Sequence, residues 1–106
     1  LRLVPSKIIK TFKNKILNIH PSLLPKFGGK GFYGHRVHKS VLESNEEESG
    51  ITIHLVNEKY DEGKILFQKS TPILDNDDVA SLSSRIHNLE YKYYPQIIEK
   101  YLLNQL

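Results

Sequence analysis

Residues 18–25, Asn-Ile-His-Pro-Ser-Leu-Leu-Pro, predict more of the fold than any other stretch of the chain. The apolar, β-prone run before them predicts a strand over residues 15–19, and the two prolines end regular structure behind it. Strand side chains alternate between faces, so we expect Asn18 and His20 to project together from the carboxyl end of this strand. Open α/β sheets usually bind ligands at that edge. A carboxamide beside an imidazole suits the stabilisation of a developing oxyanion next to a proton transfer.

A structural interpretation of the same two residues is also open. A histidine after a strand is usually a turn or core residue, and an asparagine before a turn usually caps the backbone. The spacing alone therefore does not decide between packing and catalysis.

Composition limits the classes of protein that this chain can belong to. Its 106 residues, 39% hydrophobic and 25% charged, suit one small globular domain. It has no apolar run of 18 residues, no secretory signal pattern and no cysteine, which excludes disulfides and thiolate metal sites. We therefore expect a cytoplasmic protein without a membrane partner. The chain begins at Leu1 and lacks methionine, so we expect a processed or truncated protein.

Positive charge is concentrated before the first strand, although the net charge is only +3. The cations there are Arg2, Lys7, Lys10, Lys13 and Lys15, with no acid among them. A solvated helix face is the first interpretation, and attraction of an anionic ligand or nucleic acid is the second. We expect no nucleic-acid partner.

Periodicity predicts the remaining elements. They are a helix at 6–12, the strand at 15–19, a helix at 34–43, strands at 51–56 and 64–73, and a long helix after residue 75. The two later strands form an antiparallel pair joined by a loop over residues 57–63. Asp75 or Asp77 caps the last helix, and Pro95 kinks or restarts it.

Other polar residues have both a structural and a functional interpretation. His35 and His38 stand three apart on a helix, but no third ligand is near, so we expect no metal site. Asp61 suits a turn, yet a carboxylate held between two strands can also favour a charged imidazole. His54 is a half-buried strand residue, or it orients that carboxylate. The glycine-rich run 28–31 lacks the Ser or Thr of a phosphate-binding loop.

Three segments together resemble the folate-dependent formyltransferases. They are residues 18–25, residues 50–63 (Gly-Ile-Thr-Ile-His-Leu-Val-Asn-Glu-Lys-Tyr-Asp-Glu-Gly) and residues 65–68. The Pro-Ser-Leu-Leu-Pro form and the His-Asn-Leu-Glu run before Tyr94-Pro95 resemble the members that formylate glycinamide ribonucleotide in purine synthesis. The resemblance extends from Leu1 to Tyr101.

The resemblance implies an α/β fold: the C-terminal part of a Rossmann-like sheet, with a parallel strand, then an antiparallel strand pair and a long C-terminal helix. Residues 1–106 are then the C-terminal portion of one catalytic domain whose N-terminal half is absent. A sheet without its first strands has an unpaired edge. We therefore expect an upstream segment of the same domain or pairing with another copy. An inactive 106-residue part is an open alternative.

The resemblance also implies a reaction and its residues. The formyl group of 10-formyltetrahydrofolate passes to the amine of glycinamide ribonucleotide, without a metal. The implied catalytic set is Asn18, His20 and Asp61, with His54 supporting Asp61. The folate pocket is lined by Arg2, Leu3, Val4, Ile9, Asn18, Val56 and Asp61. Glu90 contacts the ribonucleotide, with His87 as a second candidate; both lie off the apolar stripe of the last helix.

Three alternatives stay open. A formyltetrahydrofolate hydrolase shares the same Asn, His and Asp, and a methionyl-tRNA formyltransferase would need a further basic domain. The alternative from another class is a non-enzymatic, basic RNA-binding module that uses the lysine-rich start.

Overall fold

The computed structural model describes residues 5, 7–8, 15–29, 34–56 and 63–105. The described residues form three strands and two helices, besides a helical turn at Lys7 and Ile8. The elements are β1 Leu17–His20, α1 His35–Glu43, β2 Glu48–Leu55, β3 Ile65–Pro72 and α2 Val79–Leu102. The predicted order of strands and helices is therefore confirmed across the described part.

The three strands form one antiparallel sheet in the order β1-β2-β3. Asn18 pairs with His54 and His20 pairs with Thr52, which fixes the register of β1 on β2. The predicted antiparallel pairing of β2 with β3 is confirmed. Among the described residues, β1 has β2 as its neighbour, so the parallel pairing expected for β1 stays a prediction.

Side-chain alternation gives the sheet one apolar face, and α2 packs against it. Ile51 and Ile53 are fully buried there, and Phe67 of β3 stacks at a tilt on Tyr93 of α2 with ring centroids 5.3 Å apart. α1 packs against α2, and its Val37 joins the buried cluster that contains Ile51 of β2. The packed core therefore lies between the apolar face of the sheet and the two helices, with Ile19 of β1 against it.

β2 begins earlier than its apolar pattern predicts. The polar residues Glu48 to Gly50, which precede the strand predicted at 51–56, pair with Ser70 to Pro72 of β3. A side chain at position 50 would overlap the Lys69 carbonyl oxygen and press on Leu23, so only glycine fits there. Pairing with β3, and not local hydrophobicity, extends the strand.

The cap of α2 is Asp78, and the prediction of Asp75 or Asp77 is wrong. The Asp78 carboxylate accepts the Ser81 N–H at 2.8 Å, and the Ser81 hydroxyl accepts the Asp78 N–H at 3.0 Å. Asp77 is instead engaged by Arg85 of the same helix. The helix also runs on through Pro95, although Pro95 has no N–H to donate to the Tyr91 carbonyl. The predicted restart is therefore wrong.

No helix in the described ranges has the length and apolar character needed to cross a membrane.

Candidate active site

The two residues first singled out in the sequence, Asn18 and His20, both lie in β1 and share one face by alternation. Antiparallel register places His54 opposite Asn18 and Thr52 opposite His20 on that same face. Asn18 is half-buried, whereas His20 is only 1% exposed. The geometry thus brings an amide and two imidazoles to one side of the sheet, and their catalytic roles stay predictions.

The His20 ring is oriented by the backbone of the segment that follows β1. Its Nε2 lies 2.7 Å from the carbonyl oxygen of Phe27. A carbonyl only accepts, so Nε2 must carry the proton in this contact. The other ring nitrogen, Nδ1, is then the atom that holds a lone pair whenever the ring is neutral.

Phe27 adopts a backbone conformation that is rare for a bulky residue. Its φ of 55° lies in the left-handed region, where most side chains crowd the backbone. Its own side chain packs against the buried cluster that contains Val41. Sequence reasoning missed Phe27, because its contribution to the site is a carbonyl group and no residue pattern signals that.

A second buried histidine, His38 of α1, lies close to His20. Burial, together with smaller effects of the charges on His35, His87 and His20, lowers the pKa of His38 from 6.5 to about 4. Its Nδ1 is buried, and no described residue forms a hydrogen bond with it. Among the described residues, no group of three or more histidine, aspartate or glutamate side chains is arranged to hold a metal ion. Because its pKa is lowered, His38 is neutral at pH 7.

His54, predicted to be half-buried, is almost completely buried. Its Nδ1 lies 3.1 Å from the carbonyl oxygen of Leu55, so this nitrogen donates. A hydrogen bond from Nε2 to a carboxylate would therefore require the charged ring. Asp61, the carboxylate that His54 is predicted to support, lies outside the described residues.

The predicted ribonucleotide contacts lie on α2, one turn apart. His87 is exposed and Glu90 is half-buried. Burial raises the pKa of Glu90, and the nearby His87 partly opposes that shift. The charge of His87 also contributes to the lowered pKa of His38 on α1.

Of the predicted folate-pocket residues, only Asn18 and Val56 are described. Val56 is half-buried and its N–H donates to the Ile16 carbonyl at 2.8 Å, which continues the β1–β2 pairing by one step. Alternation places Val56 on the face of His54, beside Asn18. The other predicted members, Arg2, Leu3, Val4, Ile9 and Asp61, lie outside the described residues.

Comparison with known proteins gives the chain a family context. A family model described as Formyl transferase matches residues 1–98. A relative from Vigna unguiculata named "Phosphoribosylglycinamide formyltransferase, chloroplastic" is 50% identical over 99 residues, covering 93% of this chain and 32% of that protein. The Haemophilus influenzae phosphoribosylglycinamide formyltransferase is 37% identical, covering 93% of this chain and 44% of that protein.

Solved structures agree with the sequence relatives. Phosphoribosylglycinamide formyltransferase from Bacillus halodurans superposes with a TM-score of 0.86 at 34% identity, over 95% of this chain and 50% of that one. The Brucella melitensis protein of the same name gives 0.82 at 40% identity, over 95% and 49%. The chain thus spans between a third and a half of these relatives. Because the family match covers nearly all of its 106 residues, the chain belongs to the formyl transferase family.

Proposed function

We propose that this chain forms part of a phosphoribosylglycinamide formyltransferase, which transfers the formyl group of 10-formyltetrahydrofolate to the amine of glycinamide ribonucleotide. Membership of the family supports formyl transfer, and the names of the relatives support this acceptor. The observation that carries the proposal is that Asn18 and His20 lie on the same face of β1, with His54 opposite Asn18 in the neighbouring strand.

The reaction needs charge stabilisation and one proton transfer. The folate supplies the formyl carbon: a new C–N bond forms to the ribonucleotide amine, the bond to the folate nitrogen breaks, and the amine's proton goes to that nitrogen. Negative charge develops on the formyl oxygen after the new C–N bond forms and before the old one breaks. No oxidant, reductant or metal enters this balance, since side-chain donors can meet the developing charge.

Asn18 is the proposed donor to the formyl oxygen. Its carboxamide carries two N–H groups, and the β1–β2 register sets the backbone position and the strand face from which it projects. A donor held in place before reaction needs no reorganisation as charge develops, and one such donor contributes about 100- to 1000-fold in rate.

His20 is the proposed proton carrier, working through Nδ1 while Nε2 stays bound to the Phe27 carbonyl. The neutral ring takes the proton of the attacking amine at Nδ1, and the charged ring can return it to the leaving nitrogen. Asp61 is proposed to stabilise the charged ring, with His54 orienting Asp61.

The described binding residues fit their proposed ligands. Val56 beside Asn18 gives an apolar surface next to a carboxamide, which suits a flat heterocycle with a hydrogen-bonding edge such as folate. Glu90 offers a half-buried carboxylate to the amine or hydroxyl groups of the ribonucleotide. We also propose that β1 continues a Rossmann-like parallel sheet, with an upstream half of the domain or another copy at its edge, in a cytoplasmic protein.

Product analysis with the full-length protein tests the proposal. We expect formylated ribonucleotide and tetrahydrofolate to appear in equal amounts when both substrates are supplied. Formate in place of formylated ribonucleotide would favour the hydrolase, and turnover only with charged initiator tRNA would favour the tRNA enzyme. Salt-sensitive RNA binding without folate binding would favour the basic module. Any of these three results contradicts the proposal.

A further inference from the structure

We infer that Thr52 is a positioning residue for His20: its hydroxyl holds the segment after β1 so that the Phe27 carbonyl fixes which nitrogen of His20 is protonated. The structural part of this inference stands on hydrogen bonds among described residues. Its catalytic meaning rests on the proposed function. Thr52 lies opposite His20 in the sheet and is fully buried.

The Thr52 hydroxyl uses all its hydrogen-bonding capacity on its neighbours. It donates to the Ser22 carbonyl at 2.7 Å, and it accepts from the Leu24 N–H at 3.0 Å and from Gln68 Nε2 at 2.9 Å. A hydroxyl has one donor and two acceptor positions, so all three are filled. Removing it would leave buried backbone groups of Ser22 and Leu24 without their partner, which is costly.

Two further bonds extend this control towards Phe27. Gln68 of β3 also donates from Nε2 to the Leu24 carbonyl at 2.9 Å, and the Ser22 hydroxyl donates to the Lys26 carbonyl at 3.0 Å. The backbone is thus held at Ser22, Leu24 and Lys26, immediately before Phe27. These bonds help to offset the cost of the left-handed conformation of Phe27.

The consequence for His20 is a fixed tautomer. With Nε2–H committed to the Phe27 carbonyl, the neutral ring presents a lone pair at Nδ1 and nowhere else. If the segment shifted, the proton could move to Nδ1, and the ring would lose its base at that atom. Thr52 is fully buried and its hydroxyl bonds go to Ser22, Leu24 and Gln68, so its effect on the reaction passes through the position of the segment that orients His20.

The test compares Thr52→Val with Thr52→Ser in the full-length protein. Valine keeps the shape and removes the hydroxyl, whereas serine keeps the hydroxyl. Thr71→Val is the matched control, since it removes another buried β-sheet hydroxyl that lies outside this network. Two-bond ¹H–¹⁵N correlation spectra of His20 report its tautomer directly, without any need for turnover.

We expect the Nε2–H tautomer in the parent protein, in Thr52→Ser and in Thr71→Val, and a mixture of tautomers in Thr52→Val. Because misplaced catalytic groups cost up to about 100-fold, kcat of Thr52→Val should fall roughly 10- to 100-fold. Both KM values should change by less than about twofold, since no binding contact is removed.

An unchanged His20 tautomer in folded Thr52→Val would overturn the inference, as would an equal loss in Thr71→Val. Should Thr52→Val fail to fold, Gln68→Met provides the second test, because exposed Gln68 supplies two bonds of the same network. We expect it to produce the same mixture of tautomers; an unchanged tautomer there would also overturn the inference. A parent protein without formyl transfer would refute the proposed function, whereas the spectra would still decide the role of Thr52.

Discussion

Arg85 forms a bidentate contact with Asp77: Nη1 donates to Oδ1 at 3.1 Å, and Nη2 donates to Oδ2. The Asp77 carboxylate is only 3% exposed and the Arg85 side chain 28%. Arg85 also donates to the Thr71 hydroxyl at 3.3 Å and to the Pro72 carbonyl at 3.0 Å. The pair therefore ties the end of β3 to the first turns of α2, and its hydrogen bonds hold the pKa of Asp77 well below its usual range.

Asp77→Asn should lower the free energy of unfolding at pH 7 by about 2–3 kcal/mol, since hydrogen bonds to a charged group are lost. The folded pKa is depressed, so this stabilisation is complete above the unfolded value of 3.8 and disappears as pH falls through the folded pKa. Urea titrations at pH 7 and at pH 3 measure it. The difference between the parent and the variant should be smaller at pH 3 than at pH 7 but should not vanish, because the depressed folded pKa is reached only at still lower pH; exposed Asp75→Asn should match the parent at both pH values. Equal stability of Asp77→Asn and the parent at pH 7 would contradict the structural role.

His38 should make the protein less stable in mild acid. Above pH 6.5 neither the folded nor the unfolded chain protonates it, so it has no effect there. Below that pH, His38 is protonated in the unfolded chain, whereas in the folded protein it stays neutral until about pH 4. A pKa difference of this size corresponds to roughly 3 kcal/mol of stability lost across the interval.

Replacing the imidazole tests this directly. His38→Leu should flatten the dependence of unfolding free energy on pH between about 6.5 and 4, whereas His35→Gln, at an exposed position of the same helix, should largely keep it. If His38→Leu showed the same pH dependence as the parent protein, the buried neutral state of His38 would be wrong.

Glu90→Gln should weaken binding of the ribonucleotide and leave folate binding intact. Loss of a charge-assisted hydrogen bond corresponds to about a 10- to 100-fold rise in KM for the ribonucleotide. Burial raises the pKa of Glu90, so this carboxylate takes up a proton at a higher pH than an exposed glutamate does. As pH is lowered, KM of the parent protein for the ribonucleotide should therefore begin to rise at that higher pH. Exposed Glu99→Gln on the same helix is the control. Equal KM values in Glu90→Gln and the control would exclude this contact.

The order of elements could be predicted from the sequence because periodicity is a local property of the chain. The apolar residues of α2 and the alternation in β2 were sufficient for that. The start of β2 at Glu48 was not predictable in this way, since that end of the strand depends on pairing with β3. The cap of α2 was misassigned because neighbouring aspartates look alike in sequence, whereas in the structure Asp77 binds Arg85 and Asp78 binds the Ser81 N–H.

The residues of the candidate site also differ in whether a local sequence pattern or the tertiary structure determines their position. Asn18 and His20 were found because their spacing of two residues places them on one strand face. Phe27 and Thr52 were missed, since each acts through backbone groups whose positions depend on the path of the chain after β1. The burial of His38, which keeps its ring neutral, was also missed, because it comes from the packing of α1 against α2.

The turnover number of Asn18→Ala, measured in the full-length protein with saturating 10-formyltetrahydrofolate and glycinamide ribonucleotide, tests the proposed oxyanion donor most directly. Asn88→Ala, at an exposed position of α2, is the control. We expect kcat to fall about 100- to 1000-fold in Asn18→Ala, with folding unchanged, and to stay at the parent value in the control. A folded Asn18→Ala protein with near-parent turnover would contradict the account.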